Sequence, residues 1–219
     1  MSGSKLIERV IDSAMSQDVE LLINAGDTHH DWTVRDYVRT RVVAAGLQYF
    51  DVCGNHDLYG NEWNDPFNQI KNYTFGDLKV LASPMWTDFN HDPIIVEFAR
   101  KQISDFYHID YVTPGKMQAM FRETLETIDL TKPDLVVTHF GASSRSIHPR
   151  WAGQMLNGYF CPNALGQVKH QPKFFLHGHI HDPMEYDAGD TRVIANPYGY
   201  PMETYQDVND YNVKVVDIV

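Results

Sequence analysis

The sequence has little of what marks secreted, membrane-spanning or nucleic-acid-binding proteins. Its two cysteines, Cys53 and Cys161, exclude a disulfide framework. A single bridge stays open, but we interpret both as free thiols of an intracellular protein. No apolar run approaches the length of a membrane span, and the first residues lack the apolar region of a signal peptide. These absences predict a cytoplasmic protein without a membrane partner.

Basic residues are also scarce, since 18 lysines and arginines stand against 29 aspartates and glutamates, for a net charge of -11. We therefore expect no general nucleic-acid binding, which needs lysine and arginine surfaces. A small phosphorylated substrate is not excluded, because bound divalent metals invert the local field. The length and the 43% hydrophobic content predict one folded domain over residues 1–219, of undefined oligomeric state.

Apolar periodicity predicts alternating helices and strands. The predicted helices cover 6–14, with Ser4 as cap, 33–45, stopped by Gly46, and 117–128. The predicted strands cover 19–23, 47–52, 78–82, 134–138 and 174–176, with 184–186, 192–195 and 213–218 as closing antiparallel strands. Residues 141–171 form a long irregular segment. This alternation, with polar residues at strand exits, is typical of an α/β fold.

Three histidines, His177, His179 and His181, occupy alternate positions directly after an apolar run. Alternate side chains of an extended backbone share one face, and neutral imidazole is the commonest metal ligand at neutral pH. The alternative is a chance cluster or a tag-like artefact, but a tag would lie at a terminus and lack the preceding strand. The pattern therefore predicts metal binding.

Residues of metal-ligand type follow four of the predicted strands. They are Asp27, the run Asn55-His56-Asp57, His139, and the pair His179 and His181. Ligands bind beyond the carboxyl ends of the strands in open α/β sheets, so these groups have a physical reason to converge. Each alone has a plainer interpretation, a turn or a hydrogen-bonded histidine. Together and in this order they predict a metal site.

The motifs in their order resemble the calcineurin-like metallophosphoesterase superfamily over nearly the whole chain. They are Gly26-Asp27, Gly54-Asn55-His56-Asp57, Thr138-His139 and Gly178-His179-Ile180-His181. Two weaker motifs, Trp86-Thr87-Asp88-Phe89 and Asn196-Pro197-Tyr198-Gly199-Tyr200, are similar to those of a bacterial and phage subgroup. The resemblance implies a four-layer α/β/β/α sandwich, in which two facing mixed β-sheets are flanked by helices.

The resemblance also implies hydrolysis of phosphomono- or phosphodiesters by a metal-bridging hydroxide. Asp27 would bridge two divalent ions, and the carbonyl oxygen of Asn55, with His139 and His179, would complete one site. His181 would serve the other ion. His56 would lie near the leaving group as a general acid or phosphate contact. Mixed oxygen and nitrogen ligands favour manganese or iron, with zinc, nickel and magnesium as alternatives.

One motif of the family is missing, namely a first strand that ends in Asp-x-His and supplies two ligands to the metal of His181. The only such spacing here is Asp27-Thr28-His29, which belongs to the second motif. We expect a displaced start or a deletion rather than natural loss. The gap should either leave backbone groups unpaired or rearrange the neighbouring elements. The alternative function is a catalytically silent metal-binding or regulatory module with one site empty. A zinc-only structural site is disfavoured, because Asn and Asp are poor ligands for it.

Several residues around the motifs are further candidates. Arg145 and Arg150 are candidate phosphate-binding residues, unless they belong to a solvated loop. Three aromatic residues would stack on a base or belong to the core: Trp86, Phe89 and Trp151. Three residues near the metal motifs have secondary roles: His177 in strand packing or the second shell, Asp31 orienting the catalytic histidine, and His30 as a replacement ligand.

Overall fold

The computed structural model describes residues 2–200 and 207–218. Its α-helices are α1 (Ser2–Met15), α2 (Trp32–Ala44), α3 (Pro93–Gln102), α4 (Asp105–His108), α5 (Pro114–Thr131) and α6 (Asn157–Phe160). Its strands are β1 (Leu21–Asn24), β2 (Gln48–Asp51), β3 (Lys71–Phe75), β4 (Leu78–Ser83), β5 (Leu135–Thr138), β6 (Phe174–His177), β7 (Met184–Ala188) and β8 (Thr191–Ala195). No helix in these parts of the chain is both long and apolar enough to cross a membrane.

The strands form two sheets. The larger has the order β3-β4-β5-β6-β8-β7; the contacts from β4 through β5 and β6 to β8 are parallel, and the two outer strands are antiparallel. The smaller consists of β1 and β2, which run parallel. Parallel pairing brings the carboxyl ends of β4, β5 and β6 to one edge of the larger sheet, and those of β1 and β2 to one edge of the smaller.

The two sheets face each other across an apolar layer, because alternate residues of each strand point to opposite sides. That layer comprises Phe50, Val52, Val80, Ala82, Leu135 and Val137. The alternate residues Leu81, Val136 and Phe175 point the other way and share a core with residues of α5. On the far side of the smaller sheet, Leu22 shares a core with residues of α1 and α2. The predicted four-layer sandwich is confirmed, although the smaller sheet is parallel rather than mixed in the described residues.

Local sequence explains where the helices begin. Asp31 and Asp92 precede α2 and α3, and each side chain accepts a hydrogen bond from a backbone N–H of the first turn. Pro93 and Pro114 then occupy the first position of α3 and α5, where the missing N–H costs nothing. The predictions for α2 and α5 are confirmed, with α5 starting three residues earlier than predicted.

Three details of the predicted fold differ from the structure. Helix α1 begins at Ser2, so Ser4 lies within the helix and is not its cap. Strand β3 and helix α3 were not predicted. Residues 213–218 form no strand, although Val213 and Ile218 pack against the apolar clusters beside the smaller sheet.

One edge of β1 has no strand beside it in the described chain. The carbonyls of Glu20 and Asn24 accept hydrogen bonds from backbone N–H groups of the β2 segment. Backbone groups of successive residues in a strand point to opposite sides, so those of Leu21 and Ile23 point away from β2. They face a cavity of about 1540 Å³ that α1 and residues 213–218 also line. The expected effect of the absent first motif on this edge stays a prediction.

Candidate metal centre

Four of the predicted metal ligands come together where the two sheets end. Asp27 follows β1, Asn55 follows β2, His139 follows β5, and His179 follows β6. One ligand atom from each of Asp27, His139 and His179 lies within 4.8 Å of the others. The predicted convergence of these strand exits is therefore present in the structure.

His139 supplies the nitrogen at the middle of this group. Its Nδ1 donates to the carbonyl of Ala25 at 2.7 Å, which directs Nε2 into the site. Nε2 lies 3.0 Å from Oδ1 of Asn55 and 3.4 Å from Oδ2 of Asp27. Two oxygen acceptors and a ring nitrogen at these distances need a cation between them, either a proton on Nε2 or a metal ion.

The electrostatics of these side chains agree with this arrangement. Burial alone would lower the pKa of His139, but the neighbouring Asp27 carboxylate raises it overall. Burial alone would likewise raise the pKa of Asp27, yet the charge and hydrogen bond of His139 hold it below its usual range. The Asp27 carboxylate is therefore ionised and available to a cation.

His179 has an unsatisfied ring nitrogen. Its Nε2 is inaccessible to solvent and has no hydrogen-bond partner within the described residues. The ring packs against those of Phe140 and His139, with centroid distances of 4.3 and 4.9 Å. Burial, followed by the charge of His139, puts the pKa of His179 well below its usual value, so the imidazole is neutral. Buried unpaired polar atoms are rare in folded proteins, and a neutral nitrogen of this kind fits a metal ligand.

The loops that carry Asp27 and Asn55 are tied together by Asp57. Its buried carboxylate accepts the backbone N–H groups of Asp27, His29 and Gly54 at 2.8–2.9 Å. Burial, and next the charge of Asp27, raises the pKa of Asp57 to about 7. From α2, Arg35 donates to the carbonyls of His29 and Asp57, among others. The polar residues after β1 and β2 thus form one hydrogen-bonded unit.

His56 lies beside the four clustered side chains, with aromatic rings around it. Tyr59 stacks on it at a centroid distance of 4.3 Å, and the hydroxyl of Tyr200 lies 3.2 Å from its Nε2. The ring of Tyr200 also contacts that of His181, with centroids 4.5 Å apart. His181 borders the same cavity as Asp27 but does not belong to the candidate metal triad, the described side chains of Asp27, His139 and His179.

The two predicted phosphate-binding arginines are engaged elsewhere in the structure. Arg145 donates to the carbonyl of Asp187 at 2.5 Å and stacks over Tyr186. Arg150 pairs with Asp182, next to His181 in the chain, at 2.8 Å. Arg150 is therefore held by the neighbour of the candidate metal ligand His181, whereas Arg145 is not.

The secondary candidates occupy varied positions. Trp86 and Phe89 are fully buried core residues, whereas Trp151 is 46% exposed. His177 is buried and bonded to Ser146 Oγ at 2.8 Å, as its predicted packing role requires. Asp31 caps α2, and the exposed His30 stacks on its neighbour His29.

Sequence reasoning missed three residues of the site. Asp105 contacts Asn55, and Tyr59 and Tyr200 contact His56. Tyr59 closely follows the second motif, and Tyr200 lies in the motif 196–200. Their positions in the sequence therefore gave a weak indication that both belong to the site. Asp105 had none.

Two facing sheets with candidate metal ligands at their strand exits are the arrangement expected of a calcineurin-like fold. Among solved structures, the chain is similar to a phosphopantetheinyl hydrolase from Mycobacterium tuberculosis, with 18% identity, 84% of this chain and 80% of that chain covered, and a TM-score of 0.58. It is also similar to a dimetal phosphatase from Danio rerio, with 16% identity, 89% and 77% covered, and a TM-score of 0.54. At these identities the likeness shows the fold. No curated protein sequence matches the chain.

The model of the calcineurin-like phosphoesterase family matches residues 3–183. The chain therefore belongs to the calcineurin-like phosphoesterase family, and the resemblance drawn from the ordered motifs is confirmed.

Proposed function

We propose that the protein is a metal-dependent hydrolase of phosphomono- or phosphodiesters. The observation that carries the proposal is the convergence of Asp27, Asn55, His139 and His179, together with a buried Nε2 of His179 that has no hydrogen-bond partner in the described residues. Membership of the phosphoesterase family supports the reaction class. The acidic composition supports a small phosphorylated substrate over general nucleic-acid binding.

In this proposal the four clustered residues hold one divalent ion through two oxygens and two nitrogens. Asp27 is shared with a second site, to which His181 contributes. Such ligands suit manganese or iron, with zinc, nickel and magnesium as alternatives. Bound ions would supply the positive charge that phosphate oxygens need and would acidify a bound water.

The remaining chemistry belongs to the side chains. His56 protonates the departing oxygen; Tyr200, 3.2 Å from its Nε2, is placed to orient the ring. Asp27 keeps its charge at neutral pH and holds the bridging position. Arg150 contacts the substrate phosphate if it exchanges Asp182 for that group, and Arg145 does so only by leaving the Asp187 carbonyl.

Two further proposals concern the chain as a whole. We propose that residues 1–219 act as one domain, which the apolar layer shared by the two sheets supports. We also propose a cytoplasmic location, supported by the two buried cysteines, both of which are free thiols.

The test is hydrolysis of nitrophenyl phosphate and its bis ester by the purified chain supplied with manganese, iron or nickel. We expect turnover that a chelator stops and that His179→Ala loses. His91→Ala serves as the control, because His91 is an exposed histidine outside the site. Absence of turnover with every metal on both substrates would refute the hydrolase proposal.

A second candidate function is a catalytically silent metal-binding or regulatory module on the same fold. The observation that favours it is the asymmetry of the centre: His181 lies outside the triad, and the cavity along β1 reaches its side of the site. Metal titration separates the two functions. A silent module takes up one ion per chain or none, whereas the hydrolase takes up two.

A further inference from the structure

Asn55 differs from the other three candidate ligands, because its side-chain amide can present either its oxygen or its nitrogen to the site. The oxygen and nitrogen of a side-chain amide have nearly the same size, so shape does not decide between the two orientations. Hydrogen-bond partners decide instead. Only the orientation with Oδ1 toward His139 and Asp27 offers a lone pair to a cation.

We infer that Asp105 is the residue that sets this orientation, a positioning residue that acts on the metal through Asn55. Its Oδ1 accepts a hydrogen bond from Nδ2 of Asn55 at 2.8 Å. The Asp105 oxygens already act as acceptors for two tyrosine hydroxyls, so the amide presents its NH₂ group to them. The carbonyl oxygen is thereby turned the other way, to within 3.0 Å of Nε2 of His139.

Asp105 is itself fully buried at the start of α4, and its partners keep it satisfied there. Besides Asn55, the hydroxyl of Tyr59 donates to it at 2.8 Å, and that of Tyr159 donates through a short hydrogen bond. A buried carboxylate is costly without such donors. Burial, and next the charge of Asp105, raises the pKa of both tyrosines, so both hydroxyls stay protonated.

The same carboxylate connects three parts of the centre. Tyr59 stacks on His56, and the ring of Tyr159 lies edge-on to His179 with centroids 6.2 Å apart. Asp105 thus contacts the candidate ligand Asn55 directly. Through the two tyrosines it also connects to the candidate acid His56 and to the candidate ligand His179. It reaches them from a helix 50 residues from Asn55 in the chain.

The test substitutes Asp105→Asn, which keeps the shape but allows Asn55 either orientation. In the metal-free protein, the ¹⁵N side-chain signal of Asn55 should shift, and its slowly exchanging amide proton should exchange faster. Mn²⁺ affinity measured by calorimetry should fall about 10- to 100-fold, as is typical when an outer-shell partner of a metal ligand is removed. Asp88→Asn is the matched control, because Asp88 is an equally buried carboxylate that bonds Gln167 away from Asn55.

A double-mutant cycle separates positioning from a general loss of stability. In an Asn55→Ala background, Asp105→Asn should weaken Mn²⁺ binding no further. An equal loss in both backgrounds, or an unchanged Asn55 signal in Asp105→Asn, would overturn the inference. If the variant does not fold, rapid exchange of both Asn55 amide protons in the wild type would overturn it, and slow exchange would support it.

The metal part of this inference rests on the proposed function, whereas the amide measurements do not. A wild type that binds none of manganese, iron and nickel would refute the proposed function, and the Asn55 signal would still decide whether Asp105 sets the amide.

Discussion

The carboxylate of Asp57 accepts the backbone N–H of Asp27 at 2.9 Å. The last residue of the second motif therefore supports the candidate bridging ligand of the first. Asp27 has a left-handed backbone, with φ of 59°, which a non-glycine residue adopts only where its surroundings hold it. This hydrogen bond helps to fix that conformation, together with two more that the Asp57 carboxylate accepts from the backbone N–H groups of His29 and Gly54.

Asp57→Asn should destabilise the protein by about 1–3 kcal/mol, the cost of leaving a buried donor without its acceptor. The substituted side chain has one acceptor oxygen and one NH₂ group. That NH₂ group must therefore face at least one of the backbone N–H groups that the carboxylate accepted. Urea unfolding measures the change. Asp36→Asn, an exposed position on α2, should change the free energy of unfolding by less than about 0.5 kcal/mol. Equal effects at the two positions would contradict the role assigned to Asp57.

Gly54→Ala should abolish metal binding. A Cβ at this position would collide with the carboxylate of Asp27 and lie 2.4 Å from its backbone nitrogen. Calorimetric titration with Mn²⁺ checks the result. Gly115→Ala is the control, since its nearest neighbour would be Thr113 Oγ1 at 4.0 Å. Metal binding that survived in Gly54→Ala would show that Asp27 is not a ligand.

Substitutions of the candidate ligands should lower metal affinity, whereas substitution of the candidate acid should lower the rate. Asn55→Ala and His179→Ala should each lower metal affinity, because each removes a donor atom. His56→Ala should keep the metal and lose about 10²- to 10⁴-fold in rate, the usual contribution of a general acid. Calorimetry and turnover on the same samples separate the two effects. Loss of metal uptake in a folded His56→Ala variant would show that the division of roles is wrong.

Stability should fall in mild acid because of His177. Burial lowers the pKa of His177 to about 4, against 6.5 for the free group. The unfolded chain therefore binds a proton between pH 6.5 and 4 that the folded chain does not. The contribution of neutral His177 to the free energy of unfolding is fully present above pH 6.5. It is lost by about 1.4 kcal/mol per pH unit as the pH falls from 6.5 to 4.

His177→Gln cannot take up that proton, so it should lose less stability than the wild type over the same range. Urea unfolding at several pH values gives both curves. Parallel curves would mean that His177 is already charged in the folded protein.

Both cysteines should react slowly with a thiol reagent at pH 8 and fast after unfolding. Cys53 and Cys161 are each 1% exposed, and burial raises the pKa of Cys161 to about 12. Thiol counts in denaturant without reductant should give two per chain. A count of zero would reveal a disulfide and contradict the intracellular interpretation.

The sequence by itself determined the strands that carry the candidate ligands. Buried parallel strands such as β5 and β6 begin as apolar runs, so their ends are visible where polar residues start, at Thr138 in β5 and at His177 in β6. Parallel pairing brings those ends to one edge of the sheet, which is why the proximity of the candidate ligands His139 and His179 was predictable. Helix α3 also had a signal, in the Asp92-Pro93 start that was overlooked.

Only the tertiary structure decided the rest. Residues 213–218 have the pattern of a strand, but a strand requires a hydrogen-bonded neighbour, and none pairs with them in the described chain. Asp105 lies in no motif, and its role arises from a contact with Asn55 across 50 positions. Local patterns encode which face of an element is buried, whereas the partner of a buried polar group depends on how the elements pack together.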